Sequence, residues 1–265
     1  MADETVAAVD RLFPDHLGHG LADYDEDQTP EPLPARTWQV VTAERSGYIQ
    51  SVDSAALLSV ARNHQTVVRM ERAIGDFVVR GTALASLAME QPPAPTVMAA
   101  LREAYDIHHH RTVEQDVGFG IRQIVDMALR ALSPGFNDTT TAVMCVDYLT
   151  TIVARLASRP IPSSRRHENG ELRVLTLGLT FGSVLDESFD QIRSSAQGNA
   201  AILLRLLGAV QTIGGLTGSP RRREALREHV QRIAEITVRT IASPHDRARI
   251  QLRLTTVRDA LDTAA

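Results

Sequence analysis

The stretch from Asp116 to Asp147 constrains the fold most, because it predicts two helices joined by a tight turn. Apolar residues recur in its first half at i, i+3, i+4, i+7, i+8 and i+11, the spacing of one face of an α-helix. Ser133-Pro134-Gly135 ends this pattern, and Asn137 or Asp138 is placed to cap a second helix that runs to about Ala157. A helical hairpin is therefore expected here. The apolar residues of its first helix are Ile121, Ile124, Val125, Ala128, Leu129 and Leu132.

The remainder of the chain divides into three regions that differ in the spacing of their apolar residues. Residues 1–37 are expected to form a leader and an acidic, proline-rich linker. Short runs of β-branched and apolar residues between glycines fill 38–112 and predict strands around one short helix. Helical periodicity dominates 113–265, apart from one strand near 171–181. We therefore predict an α+β fold, in which a small β-rich domain of barrel-sandwich character precedes a helical domain of about six helices.

Composition excludes several kinds of chemistry. All 28 basic residues other than histidine are arginines, so biotin, lipoate and pyridoxal phosphate cannot be attached through a lysine. The formal net charge of -4 gives no sign of a nucleic-acid partner. Cys145 is the single cysteine, so no intrachain disulfide can form, which fits the reducing cytoplasm.

The hydropathy pattern of the sequence bears on export and membrane insertion. The N-terminal residues lack the basic and apolar regions of a signal peptide. No uncharged apolar run reaches the roughly 18–20 residues that a membrane-spanning helix requires. Taken alone, these features predict a soluble cytoplasmic chain.

Three stretches resemble a bacterial family of predicted membrane proteins, the family of domain of unknown function 2254. Family members typically carry transmembrane helices before this region, and this chain starts about where that membrane part would end. The resemblance therefore implies a cytoplasmic soluble part, lying at the inner face of the cell membrane when anchored: either an excised domain or a natural variant that lacks the anchor. It implies no activity, because the family has none assigned. A weaker similarity, to the barrel-sandwich halves of lipoyl-like domains, rests on the strands around the Gly-Asp turn. The three stretches are QDVGFGIRQIVDMALRALSPGFNDTTTAVMCVDYL, GYIQSVDSAALLSVA with GDFVVRGTAL, and LTFGSVLDESFDQIRSSAQGNAAILLRLL.

The first candidate site is a polar stripe on the first helix of the hairpin. Arg122, Asp126 and Arg130 are spaced i, i+4 and i+8, opposite the apolar face. One interpretation is a solvated ladder of ion pairs. The other is that Asp126 holds two arginines in a fixed arrangement for an anionic ligand or a partner subunit. Asp116 and Gln123 lie close in sequence and are candidates for the same network.

The second candidate site is the turn between the two helices. Ser133, Asn137, Asp138 and Thr140 place side-chain oxygens and free backbone N–H groups at a helix start. Such a terminus can bind an anion. Ordinary helix capping needs only one of these residues and is the alternative.

A run of three histidines is the third candidate. On a strand, His108 and His110 would share one face, and two histidines with a carboxylate can hold zinc. Ordinary surface or interface histidines are the alternative. Candidates for the third ligand are Asp106, Asp116, His64 and His167, and no spacing selects among them.

No recognised catalytic motif is present, so a non-enzymatic role is favoured. We expect the chain to act by ligand binding or by assembly into a homo-oligomer. The alternative is a metal-dependent hydrolase that uses the His108–His110 run and nearby carboxylates.

Overall fold

A computed structural model of the chain describes residues 1–12 and 36–263, so most of the predicted acidic linker lies outside the described residues. The helices and strands of the described part, in chain order, are α1 (Ala2–Leu12), β1 (Trp38–Thr42), β2 (Gly47–Val52), α2 (Ser54–Asn63), β3 (Val68–Met70), β4 (Phe77–Val78), β5 (Ala83–Ala88), α3 (Pro95–Glu103), β6 (Tyr105–His108), α4 (Val117–Ala131), α5 (Thr139–Ala157), β7 (Arg165–Glu168), β8 (Glu171–Leu175), α6 (Phe181–Ser195), α7 (Ala200–Gly214), α8 (Pro220–Thr240) and α9 (Pro244–Thr263).

The chain divides into two compact units. Among the described residues, the β unit comprises 36–119 and 162–178, and the helical unit comprises 1–12, 120–161 and 179–263. The β7–β8 hairpin therefore belongs to the β unit, although it follows α5 in sequence. It is held there because β8 pairs in parallel with β3, with Val68 opposite Val174.

The β unit contains two small sheets in its described part. The larger has the strand order β1-β5-β3-β8-β7, and the smaller has the order β4-β2-β6. Except for β3 with β8, the paired strands are antiparallel. Side chains from both sheets form one apolar core with α2 and α3, including Ile49, Leu57, Leu87 and Leu101. Asp53 caps α2 by accepting a hydrogen bond from the N–H of Ala56 at 3.0 Å.

The α+β class is confirmed, but the barrel-sandwich prediction for the β unit is not. The described strands form separate sheets of five and three strands and do not close into a barrel. Local sequence patterns could not predict the pairing of β3 with β8, because these strands are about a hundred residues apart in sequence. The strand near 171–181 is also shorter than predicted: β8 ends at Leu175, and α6 begins at Phe181.

The helical unit is organised around α5 and α7. Helix α5 packs against α1, α6 and α7, and α7 packs against α8 and α9. Asn199 links the first turns of α5 and α7, since it caps α7 and also donates a hydrogen bond to Thr139 of α5 at 2.9 Å. Helices α6 and α8 pack side by side. This last contact brings together polar residues that are far apart in sequence.

Candidate functional site

Asp116 is a buried structural residue in the β unit. Its carboxylate accepts two hydrogen bonds from Arg111, at 2.8 and 3.0 Å, and one from the N–H of Phe119 at 2.9 Å. The third bond caps the start of α4. A Cβ atom at Gly75, which has a φ of +90°, would lie 2.5 Å from Asp116 Oδ2. The carboxylate is thus enclosed by its partners and is not offered to a ligand.

The predicted polar stripe on α4 contains one exposed ion pair. Arg122 donates to Asp126 at 2.5 Å, and the Asp126 side chain is 48% exposed. Arg130 is also exposed, and no ion pair joins it to Asp126 within this described helix. Gln123 is partly buried. The stripe therefore has the geometry of a solvated i,i+4 pair, which contributes a few tenths of a kcal/mol, about what exposed helix pairs give.

The turn between α4 and α5 is closed by its own hydrogen bonds. Ser133 Oγ donates to the carbonyl oxygen of Arg130 at 2.7 Å, and the N–H of Asn137 donates to the carbonyl oxygen of Ser133 at 2.9 Å. Asn137 adopts the left-handed conformation with a φ of 46°. Asp138 caps α5 by accepting hydrogen bonds from the backbone N–H and the hydroxyl of Thr141. Thr140 is exposed. The Asp138 carboxylate thus occupies the position that an anionic ligand would take.

Because Asp138 accepts these hydrogen bonds, its pKa reports directly on the cap of α5. The side-chain and backbone hydrogen bonds from Thr141 lower the pKa of Asp138 below its ordinary value of 3.8. The cap therefore stabilises the fold above about pH 4 and is lost as the pH falls through the lowered pKa. We expect Thr141→Val to raise the pKa of Asp138, measured by NMR titration of the carboxyl carbon. Thr140→Val serves as the matched control, and equal pKa values in Thr141→Val and the parent would contradict the hydroxyl's role.

The premise of the predicted histidine metal site is wrong, because β6 ends at His108 and His110 lies beyond it. The strand ends where its partner β2 begins: Tyr48 is opposite His108, one residue from the start of β2. His108 contacts Asp106 at 2.8 Å on the same strand. Within the described residues, three side chains of the types that bind metal ions converge at a different place.

That group lies in the helical unit, between α6 and α8. The sequence patterns did not predict it. It consists of Asp186 and Asp190 on α6 and His229 on α8. His229 Nε2 lies 2.8 Å from Asp186 Oδ1, and its Nδ1 lies 4.0 Å from Asp190 Oδ1. Arg232, one turn along α8, donates through Nη1 to Asp186 at 2.7 Å and to both oxygens of Asp190 at 3.2 and 3.3 Å. We call Asp186, Asp190, His229 and Arg232 the α6–α8 cluster.

Electrostatics in the α6–α8 cluster favour a charged Asp186 carboxylate beside a neutral imidazole. His229 is only 2% exposed, and burial lowers its pKa below 6.5, although its hydrogen bond to Asp186 and the charges of Asp190 and Asp186 oppose the shift. Partial burial alone would raise the pKa of Asp186, but hydrogen bonds from Arg232 and His229 lower it below 3.8. Arg193 also pairs with Asp190 at 3.2 Å. The cluster is a charge-balanced site that exposes its carboxylates on one side.

Two sequence signals, read together, point to the α6–α8 cluster. Asp186 and Asp190 are spaced i and i+4, so that both lie on one face of a helix. His229 interrupts the apolar stripe of α8, where Leu226, Val230 and Ile233 are buried. A polar residue in an apolar stripe requires a partner. The pairing of α6 with α8 is what the sequence did not show.

The helical unit also exposes an uncharged strip on α5. Thr140, Met144, Tyr148 and Thr151 follow one another at i, i+4, i+8 and i+11, and all four are exposed. We call them the outward face of α5. Met144 and Tyr148 are each 49% exposed, although the opposite face of the helix is buried in the core. Asp147 lies at the edge of this face and pairs with Arg205 of α7. Phe136, 74% exposed in the preceding turn, adds apolar surface near the start of the helix.

Comparison with known proteins assigns the family. The family model described as a predicted membrane protein, with domain of unknown function 2254, matches residues 1–212. The chain belongs to this family. Similar relatives are uncharacterized proteins of Mycobacterium bovis and of two strains of Mycobacterium tuberculosis, each 31% identical over 252 residues. The match covers 93% of this chain and 47% of each relative, so the chain spans about half the length of these relatives. No solved structure matches the chain.

One helix of the described residues, α5, is long and apolar enough to cross a membrane when judged by length and composition alone. It contains Asp147 and Arg155, so it is not an uncharged apolar run. A core helix of a globular unit passes the same criterion, and α5 packs against three other helices and has a buried apolar face.

Proposed function

We propose that this chain is a cytoplasmic, soluble part of a membrane-associated protein, and that it acts by self-association through the outward face of α5. The observation that carries the proposal is the pair of half-exposed side chains Met144 and Tyr148, one helical turn apart on an uncharged strip. Solvent-facing helix surfaces usually carry charges. Met and Tyr are enriched in protein interfaces, whereas most charged residues are depleted there.

A second copy of the chain is the occupant that this surface fits best. The outward face of α5 consists of threonine, methionine and tyrosine side chains, so two copies meet there without like-charge repulsion. The charges next to it are already neutralised within one chain, since Asp147 pairs with Arg205. The cytoplasmic location rests on the single cysteine, Cys145, which is free and buried.

The anion site at the α4–α5 turn stays a prediction, and the structure weighs against it. The cap at Asp138 presents a negative charge to the helix N-terminus, and the nearest stripe residue, Arg130, would have to outweigh it. The alternative of a hydrolase built on the histidine run has no supporting geometry, because His110 is not on the strand with His108.

Light scattering after gel filtration tests self-association. We expect the parent chain to have a mass above that of a monomer at about 100 µM, where a specific interface of ordinary affinity persists. Tyr148→Glu should shift the mass to that of a monomer, because it buries an unpaired carboxylate between the two copies. Met144→Glu should act in the same direction.

The matched control is Leu252→Glu on α9, since Leu252 is 73% exposed and lies on another helix. This variant should keep the mass of the parent chain. A monomeric parent chain at about 100 µM would contradict the proposal. So would an oligomer that Tyr148→Glu and Leu252→Glu leave equally intact.

A further inference from the structure

Strand β1 is an open edge of the larger sheet in the described part of the chain. It pairs with β5 on one side, and the strand order places no strand on its other side. The N–H of Ala88 in β5 donates to the carbonyl oxygen of Val67, so the backbone of Ala88 faces β3. The N–H and C=O of its partner Trp38 therefore face away from the sheet, and those of Val40, two residues along, face the same way. No hydrogen bond joins these four groups to another described residue.

The other strand edges of the described sheets are protected against pairing, whereas β1 is not. The opposite edge of the larger sheet is β7, whose sequence is RRHE. In the smaller sheet, the edge strand β4 has two residues, and the edge strand β6 has the sequence YDIH. Strand β1 has five residues, WQVVT, with no charge and no proline. Short strands and charged side chains are what proteins use to prevent edge pairing, so β1 is the edge that remains able to pair.

The length of β1 that can pair is limited at its C-terminal end. The register with β5 shifts between Val41 and Thr42, which marks a bulge. Arg102 of α3 donates through Nε to the carbonyl oxygen of Thr42 at 3.0 Å, so this outward group already has a partner. The open edge is therefore the segment from Trp38 to Val40, and an added strand can form four backbone hydrogen bonds there.

We propose that the β1 edges of two copies of this chain pair in antiparallel fashion around a two-fold axis at Gln39. In this register, Trp38 of each copy lies opposite Val40 of the other, and each such pair exchanges two hydrogen bonds. The side chains of Trp38 and Val40 lie on the same face of the sheet, and Val40 is 53% exposed. Cross-strand pairs of an aromatic and a β-branched residue stabilise antiparallel strands. The edge is thus complementary to itself, and its uncharged residues meet without like-charge repulsion.

This contact is small and separate from the outward face of α5. Four hydrogen bonds and two side-chain pairs make a weak interface, and we expect a dissociation constant of about 1 mM. Most chains therefore remain unpaired through β1 at the concentration of about 100 µM that tests association through α5. Strand β1 lies in the β unit and α5 in the helical unit, so one chain that uses both contacts binds two neighbours. Assemblies larger than a dimer then form where the chain is concentrated.

Solvent exchange of amide hydrogens, measured by NMR in the full chain with Tyr148→Glu, tests this pairing apart from association through α5. We expect exchange at Trp38 and Val40 to slow about twofold between about 0.05 mM and about 1 mM chain, because half of the chains are paired at a concentration equal to the dissociation constant. The N–H groups of Gln39 and Val41, which face β5, are the internal control. Their exchange should be the same at both concentrations.

The variant Val40→Lys, made in the same Tyr148→Glu chain, should abolish the concentration dependence at Trp38, since a lysine on an edge strand opposes pairing. The matched control is Phe77→Lys, which replaces a residue of similar exposure, 54%, on the other sheet and should keep the dependence. Circular dichroism establishes that both variants are folded. Exchange at Trp38 and Val40 that does not depend on concentration overturns the proposal, and it is also the result expected if only other proteins pair with this edge. Slowing that persists in Val40→Lys overturns it as well.

Discussion

Arg222→Met is expected to lower the free energy of unfolding of the helical unit by about 3 kcal/mol or more, as for buried charge networks that lose a partner. Arg222 is 6% exposed and donates hydrogen bonds to the carbonyl oxygens of Leu156, Ala157 and Arg159, at 3.2, 2.8 and 2.8 Å. The carbonyl groups of Leu156 and Ala157 lie in the last turn of α5, where helix carbonyls lack i+4 partners, and that of Arg159 lies just beyond the helix. Methionine fills much of the volume but donates nothing, so the carbonyl groups lose these partners.

Urea denaturation followed by circular dichroism at the helix band measures this change. The matched control is Arg221→Met, which replaces the exposed arginine next in the chain. We expect Arg221→Met to change the free energy of unfolding by less than about 0.5 kcal/mol, as for most surface substitutions. Similar effects of the two variants would show that the hydrogen bonds of Arg222 to the end of α5 do not stabilise the unit.

Asp116→Ala is expected to destabilise the β unit by about 2–3 kcal/mol, since a buried carboxylate loses both a charged partner and a helix cap. The change leaves Arg111 without the carboxylate that it contacts through two nitrogens, and the N–H of Phe119 without its acceptor. Trp38 is the single tryptophan and lies in the β unit, beneath the guanidinium group of Arg69 at 4.1 Å. Its fluorescence therefore reports unfolding of this unit.

Asp126→Ala provides the comparison for Asp116→Ala. Asp126 pairs with Arg122 on α4 in the helical unit, and that pair is exposed, so its loss is followed by circular dichroism at the helix band. Its removal should cost less than about 0.5 kcal/mol, the usual range for exposed pairs. A loss of about 3 kcal/mol in Asp126→Ala would instead point to a buried or interfacial arginine network, the alternative left open by the sequence.

Local features of the fold could be predicted from the sequence because they depend on neighbours along the chain. The apolar period of α4 and the caps at Asp53 and Asp138 each involve residues within a few positions of one another. The ends of β6 and β8 could not be predicted in this way, because a strand ends where its partner does. For β6 that partner is β2, and for β8 one partner is β3, which has three residues.

The same distinction holds for the candidate sites: those formed by neighbours along the chain could be predicted, and those formed by helix packing could not. The residues of the α4–α5 turn were identified from the sequence, and their hydrogen bonds follow from local capping. The α6–α8 cluster was missed, because Asp186 and His229 are 43 positions apart and meet only when two helices pack. The exposure of Tyr148 could not be predicted either. α5 is apolar on several sides, so only the folded unit shows which of its faces is buried.

The central claim, that chains associate through the outward face of α5, is tested most directly by thiol labelling of the variant Thr151→Cys, which keeps Met144 and Tyr148 in place. Labelling with a maleimide is compared at about 1 µM and about 100 µM protein, on either side of a typical dissociation constant. Native Cys145 does not interfere, because it is buried and burial raises the pKa of its thiol. Leu252→Cys on α9 is the control. We predict that the introduced thiol of Thr151→Cys reacts several times more slowly in the concentrated sample, while that of Leu252→Cys reacts at one rate in both. Equal rates for Thr151→Cys at the two concentrations would contradict the claim.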